Sequence, residues 1–93
     1  MTIVQARAEI VVNGLVQGVG FRYFVYREAQ KIGVYGFVKN LYTGEVLTIV
    51  EGDKAEIEYL IKKLHVGPRS ASVKNCVVNW YEPKNEFNSF EIH

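Results

Sequence analysis

The hydrophobic period of this 93-residue chain switches from two to 3.6 twice, and that rhythm narrows the folds open to it. Ala6, Ala8, Ile10 and Val12 alternate with Arg7, Glu9, Val11 and Asn13, the period of a strand covered on one face. Glycines at 14, 18 and 20 interrupt it, and Phe21, Phe24, Val25, Ala29 and Ile32 then recur at helical spacing, which predicts a helix ending near Gly33. Residues 35–41 and 45–51 are β-rich runs joined by Tyr42-Thr43-Gly44, an antiparallel hairpin. Asp53 with Glu56 three residues later resembles a capping box, and Ile57, Leu60, Ile61 and Leu64 form one apolar stripe of a second helix that ends before Gly67-Pro68. A further strand is expected over residues 73–81, a turn over 83–86 and a short last strand over 87–92.

Each helix in this βαββαβ order has one apolar stripe, and a sheet has one face on which to bury both. The expected fold is therefore an α+β, ferredoxin-like sandwich: an antiparallel sheet with two helices on one face, plus a short C-terminal strand. A hydrophobic fraction of 48% suffices for a core at this size, so residues 1–93 are read as a single domain. Eleven Lys and Arg against ten Asp and Glu leave a net charge of +1, too little long-range field to gather nucleic acid or membrane lipid. A small ligand held by local charge is the expected partner, and a monomer the expected state. Cys76 is the only cysteine, which rules out an intrachain disulfide. No apolar run approaches a membrane span, and residues 1–7 lack a signal-peptide stretch, so a cytoplasmic location is expected.

The segment Gly14-Leu15-Val16-Gln17-Gly18-Val19-Gly20-Phe21-Arg22 joins the first strand to the first helix. Its glycines let backbone amides converge, the helix N-terminus brings unpaired N–H groups and the positive end of its dipole, and Arg22 adds a planar cation. Together these favour an anion such as phosphate. A plainer reading, a tight turn followed by a solvated arginine, fits the same letters. The loop is no nucleotide motif, since neither Lys-Ser nor Lys-Thr follows the glycines and the dinucleotide fingerprint is absent. Gly36-Phe37-Val38-Lys39-Asn40 is the second notable stretch. Alone, Asn40 reads as a turn former; beside Arg22, its amide could hold water through both its donor and its acceptor.

With both stretches in view, the sequence resembles the acylphosphatase family over nearly the whole chain. Val16-Gln17-Gly18-Val19-Gly20-Phe21-Arg22 is similar to the family's phosphate-cradle signature, and Gly36-Phe37-Val38-Lys39-Asn40 to its second signature. Gly44, Glu51-Gly52, Gly67-Pro68 and Phe90-Glu91-Ile92 also follow the family pattern. The resemblance implies hydrolysis of acyl phosphates to a carboxylate and inorganic phosphate. It implies that Arg22 binds phosphate, that the backbone N–H groups of Gln17, Gly18, Val19, Gly20, Phe21 and Arg22 form the cradle, and that Asn40 orients the attacking water. No metal or other cofactor is implied. Three positions depart from the pattern: Leu15 stands where arginine is usual, Phe37 where Trp or Tyr is common, and Leu41 where some members carry a hydroxyl that supports the asparagine.

Other routes to phosphate chemistry lack their residues. Cys76 is followed by Val77-Val78-Asn79-Trp80-Tyr81, without the arginine of a Cys-x5-Arg loop, and reads as a small strand residue. Asp53 is the only aspartate and reads as a helix cap. His65 and His93 are scattered, one at a helix C-terminus and one at the chain end, and with one cysteine they give no metal-ligand spacing. The alternative class is a ferredoxin-like RNA- or small-ligand-binding module without catalysis. Tyr35-Gly36-Phe37-Val38 resembles part of an RNA-binding signature but lacks its leading basic residue and later aromatic. A likeness to the acylphosphatase-like domain that opens a larger hydrogenase-maturation protein is disfavoured by chain length.

Overall fold

The computed structural model describes residues 3–93. Met1 and Thr2, which begin both the 1–93 domain and the stretch read as lacking a signal peptide, lie outside the described residues. The elements run β1 (Gln5–Leu15), α1 (Phe21–Ile32), β2 (Tyr35–Asn40), β3 (Val46–Asp53), α2 (Lys54–Val66), β4 (Ser72–Tyr81) and β5 (Phe90–Ile92). The sheet order is β4-β1-β3-β2-β5, and the four long strands pair antiparallel. This is the ferredoxin-like α+β plan.

The alternation in β1 buries Ala6, Ala8, Ile10 and Val12, and β3 contributes Val46, Thr48 and Val50 to the same face. Phe21, Val25 and Ala29 of α1 and Ile57, Leu60 and Leu64 of α2 pack onto it, giving one continuous core. At roughly 1.5–3 kcal/mol for each large apolar side chain removed from water, this layer is the main force holding α1, and with it the loop before α1, against the sheet. The Asp53 carboxylate caps α2 by accepting the Ala55 N–H at 2.9 Å, while Glu56 lies in the first turn beside the positive end of the dipole.

Besides shifts of one or two residues in β2, β3 and β4, two boundaries differ from the expectation in ways that shape the sheet. β1 extends through Gly14 and Leu15, because a bulge between Asn13 and Gly14 lets pairing with β4 continue to Ser72. Gly14 permits this close approach: a Cβ there would stand 2.2 Å from the Ser72 carbonyl oxygen. The last strand is only Phe90–Ile92, and it pairs parallel to β2, in contrast to the rest of the sheet. The chain after β4 crosses the sheet face opposite the helices to reach the far edge, so it enters β5 in the direction of β2. Phe87, expected in that strand, instead packs edge-on against Phe37 with ring centroids 6.0 Å apart.

That crossing is pinned by a buried carboxylate. Glu51 accepts the Lys84 N–H at 2.7 Å, the Asn85 N–H at 3.0 Å and Arg7 Nη1 at 2.9 Å. Arg7 and Glu51 are directly opposed across the β1–β3 ladder, and Arg7 also reaches Glu86 at 2.6 Å. Burial alone disfavours both charges, yet the hydrogen bonds and mutual attraction outweigh it: the Glu51 carboxyl is held below the usual carboxylate range and the Arg7 guanidinium is raised.

Candidate active site

The loop between β1 and α1 ends on Gly20, the N-cap of α1, in the left-handed conformation (φ 78°). Gly18 adopts the same region (φ 74°). A Cβ at either position would meet no atom within 4 Å, so the backbone conformation and not crowding demands glycine there, and the space before them is open. Helix α1 has no side-chain cap and no acidic residue in its first turn. Its leading N–H groups therefore face that opening with the dipole's positive end unopposed by a carboxylate.

Arg22 lies in the first turn of α1, and its Nη1 donates to the main-chain oxygen of His93 at 2.9 Å. Asn40 is the last residue of β2. The two meet, with Gly18, Gly20, Phe21 and Tyr23, around a cleft of about 220 Å³ that Val16 and Ile92 also line. A second cleft of about 580 Å³ adjoins it through Arg22 and Asn40 and is bordered by Lys39, Leu41, Tyr42 and His93. Among the described residues no Asp or Glu lines either cleft, and the cations are Arg22 and Lys39. The arrangement can hold a small oxyanion and set a neutral amide beside it. Of the other cradle positions, Val19 packs partly against the core and Gln17 is half-buried.

Two participants were not legible in the sequence. Gln17, read only for its backbone N–H, uses its side chain to reach the β2–β3 turn: Nε2 donates to the Leu41 carbonyl at 2.8 Å and to the Glu45 carbonyl at 2.9 Å. His93, read as a chain-end histidine, donates its N–H to the Val38 carbonyl at 2.8 Å and stacks its ring on Phe37 with centroids 4.5 Å apart. Its Nε2 lies 3.2 Å from Glu91. Neither contact has a local signal, since the partners lie 24, 28 and 71 residues away for Leu41, Glu45 and the Arg22–His93 bond.

Of the residues set aside, Cys76, Asp53 and His65 stay outside these clefts, whereas His93 borders the larger one. Cys76 pairs with Val12 in the β1–β4 ladder, and burial pushes its thiol up, away from the reactive thiolate. His65 lies in the last turn of α2. Among the described residues no group of three or more His, Cys, Asp or Glu side chains could hold a metal ion, and no helix is long and apolar enough to cross a membrane.

Known proteins with this pattern agree in kind. The family model described as Acylphosphatase matches residues 8–92. A protein from Thermococcus kodakarensis named acylphosphatase is 46% identical over 80 residues, spanning 86% of this chain and 88% of its own. Among solved structures, acylphosphatase from Bacillus subtilis superposes with a TM-score of 0.91 at 33% identity, covering 95% of this chain and 98% of that one. HypF from T. kodakarensis gives 0.82 at 34% identity, but the match occupies only 12% of that longer chain. On the family match and on relatives of its own length, this chain belongs to the acylphosphatase family.

Proposed function

We propose that this protein hydrolyses acyl phosphates to a carboxylate and inorganic phosphate by direct attack of water on phosphorus. The transferring phosphoryl group sits in the smaller cleft, bound by Arg22 and by the backbone N–H groups of Gln17 to Arg22. Asn40 holds the attacking water, and the acyl half extends into the larger cleft beside Lys39, Leu41, Tyr42 and His93. The observation that carries this reading is the meeting of Arg22, Asn40, Gly18 and Gly20 on one cleft that no carboxylate lines.

The charge of a phosphoryl group in flight lies on its equatorial oxygens, where fixed N–H dipoles and a guanidinium stabilise it without reorganisation. A carboxylate in the lining would oppose that anion. Among the described residues the smaller cleft also holds no His, Asp, Glu or Cys to protonate a leaving group; its one hydroxyl is that of Tyr23, whose ring stacks on Tyr26. A carboxylate, whose conjugate acid has a pKa of about 4, departs unaided, whereas an alkoxide needs a proton in the transition state. That help is worth roughly 10² to 10⁴ in rate, so its absence selects acyl phosphates over phosphomonoesters. His93 borders only the larger cleft, with its ring stacked on Phe37 and turned toward Glu91. On this reading the enzyme works as one domain over residues 1–93, as a monomer and without a metal.

The test is phosphate release from benzoyl phosphate after exhaustive EDTA treatment. Full activity is expected there, with negligible release from glycerol phosphate and a rate nearly flat between mildly acidic and neutral pH. Activity restored by magnesium, or comparable rates on glycerol phosphate, would overturn the scheme. A bell-shaped pH profile abolished in His93→Gln would replace it with one in which His93 moves the proton.

A further inference from the structure

We infer that the Gln17 side chain is a positioning residue: it fastens the β2–β3 turn to the cradle loop and so sets where Asn40 stands relative to the bound phosphoryl group. The inference rests on the water-holding role of Asn40 proposed above.

A carboxamide nitrogen carries two hydrogens, and here the Leu41 and Glu45 carbonyls take both, at 2.8 and 2.9 Å. Two acceptors fix the amide's orientation, because its own oxygen turned toward them would be repelled. The same carbonyls hold the turn together from within: Leu41 N–H donates to Glu45 O at 2.8 Å, and Gly44 N–H to Leu41 O at 3.2 Å. Gln17 therefore grips both ends of the turn, one residue beyond Asn40, while its backbone belongs to the cradle.

The sheet holds this distance only indirectly, through β3, whose Val46 pairs with Asn40 on one side and with Val12 on the other. β1 delivers the cradle and β2 delivers Asn40, but β3 lies between them, so no ladder bond joins the two site-bearing strands. Gln17 supplies a direct tie across that gap. Leu41 offers no side-chain hydrogen bond to Asn40, which leaves the main chain that Gln17 holds to set the asparagine's position. A displacement of about 1 Å in a catalytic group can cost 10²-fold in rate. Releasing the turn should therefore act on turnover and leave the anion site, built on α1 and its loop, intact.

The experiment is a double-mutant cycle on Gln17→Met and Asn40→Ala, read with benzoyl phosphate for turnover and inorganic phosphate as a competitive inhibitor. Gln17→Met preserves side-chain length and removes both donors. Its kcat is expected to fall about 10- to 100-fold, with the phosphate inhibition constant within about twofold of wild type. In the Asn40→Ala background it should cost nothing further. If Gln17→Met does not fold, Gln17→Asn replaces it; one methylene short of the turn, it carries the same expectations. Phosphate inhibition weakening in step with turnover, or losses that multiply in the double variant, would overturn the inference alone. Unchanged turnover in Asn40→Ala itself would overturn the role of Asn40, and the inference with it.

Discussion

Arg7 and Arg22 stand at different places in the fold with opposite electrical surroundings. Arg7, on the sheet face away from the helices, is part-buried between Glu51 and Glu86 and lies 5.3 Å from the Phe87 ring centroid. Arg22, in the first turn of α1, is exposed and donates to the His93 main-chain oxygen, with no Asp or Glu in that turn. One guanidinium has its charge cancelled by carboxylate side chains; the other is paired with none of them. On the proposed function these two arginines are a structural bolt and a binding group, and the difference lies in the carboxylate side chains around them.

That contrast breaks first at Arg22. Arg22→Ala is expected to lower kcat/KM for benzoyl phosphate by at least 10²-fold, about 3 kcal/mol or more, with the urea midpoint unchanged. Arg22→Lys should not restore it, since an ammonium cannot match a planar donor fork beside a ring of amides. Near-normal turnover by the lysine variant would remove Arg22 from the mechanism.

Arg7→Met should give the mirror image. Breaking a buried pair from one side strands the other charge, and the expected cost is about 3 kcal/mol of stability, at the lower end for such pairs because Glu51 keeps two backbone donors. Turnover of the folded fraction should stay at the wild-type level. Equilibrium unfolding beside a kinetic assay checks both halves, and lost activity in a stable variant would show that the bolt also serves the site.

The smallest effect expected is an acid limb in stability. The Glu51 carboxyl is held below its unfolded value, so the stabilisation it gives is complete above the ordinary carboxylate pKa near 4.3 and fades as pH falls through the lower folded value. Arg7 is raised from an already high value and stays charged across this range, adding no slope. Urea unfolding between pH 3 and 7 should therefore be nearly level above about pH 5 and fall below about 4.5, with a shallower fall in Glu51→Gln. Equal slopes in the two proteins would assign the acid limb to other carboxylates.

How much of this was legible follows the range of the physics. Both helices and the one-sided burial of β1 come from neighbours in sequence, and Phe21, Val25, Ile57 and Leu60 could be placed in the core by period alone. Arg22 and Asn40 entered through local signatures. The cross-strand opposition of Arg7 and Glu51 depends on a register set by the whole β1–β3 ladder. Alternation placed Arg7 on the polar face of β1 and could not supply its partner. The residues from 87 onward misled because Phe87 has strand propensity, yet its ring packs on Phe37 while β2 offers pairing only to Phe90, Glu91 and Ile92. Gln17 shows the same limit at the site, where a short glycine-flanked segment gave no sign that its side chain reaches the β2–β3 turn.

Arg22 reaches the His93 oxygen across 71 residues of chain, and β5 must be docked beside β2 before it can. Closing so long a loop costs entropy that is repaid only when the remote pairing forms. A chain with β1, β3 and β4 paired but β5 undocked would have a core and an Arg22 without this bond. On the proposed chemistry such a species would be inert, so phosphate release from a refolding sample would count only molecules with β5 docked, whereas fluorescence or circular dichroism would count both.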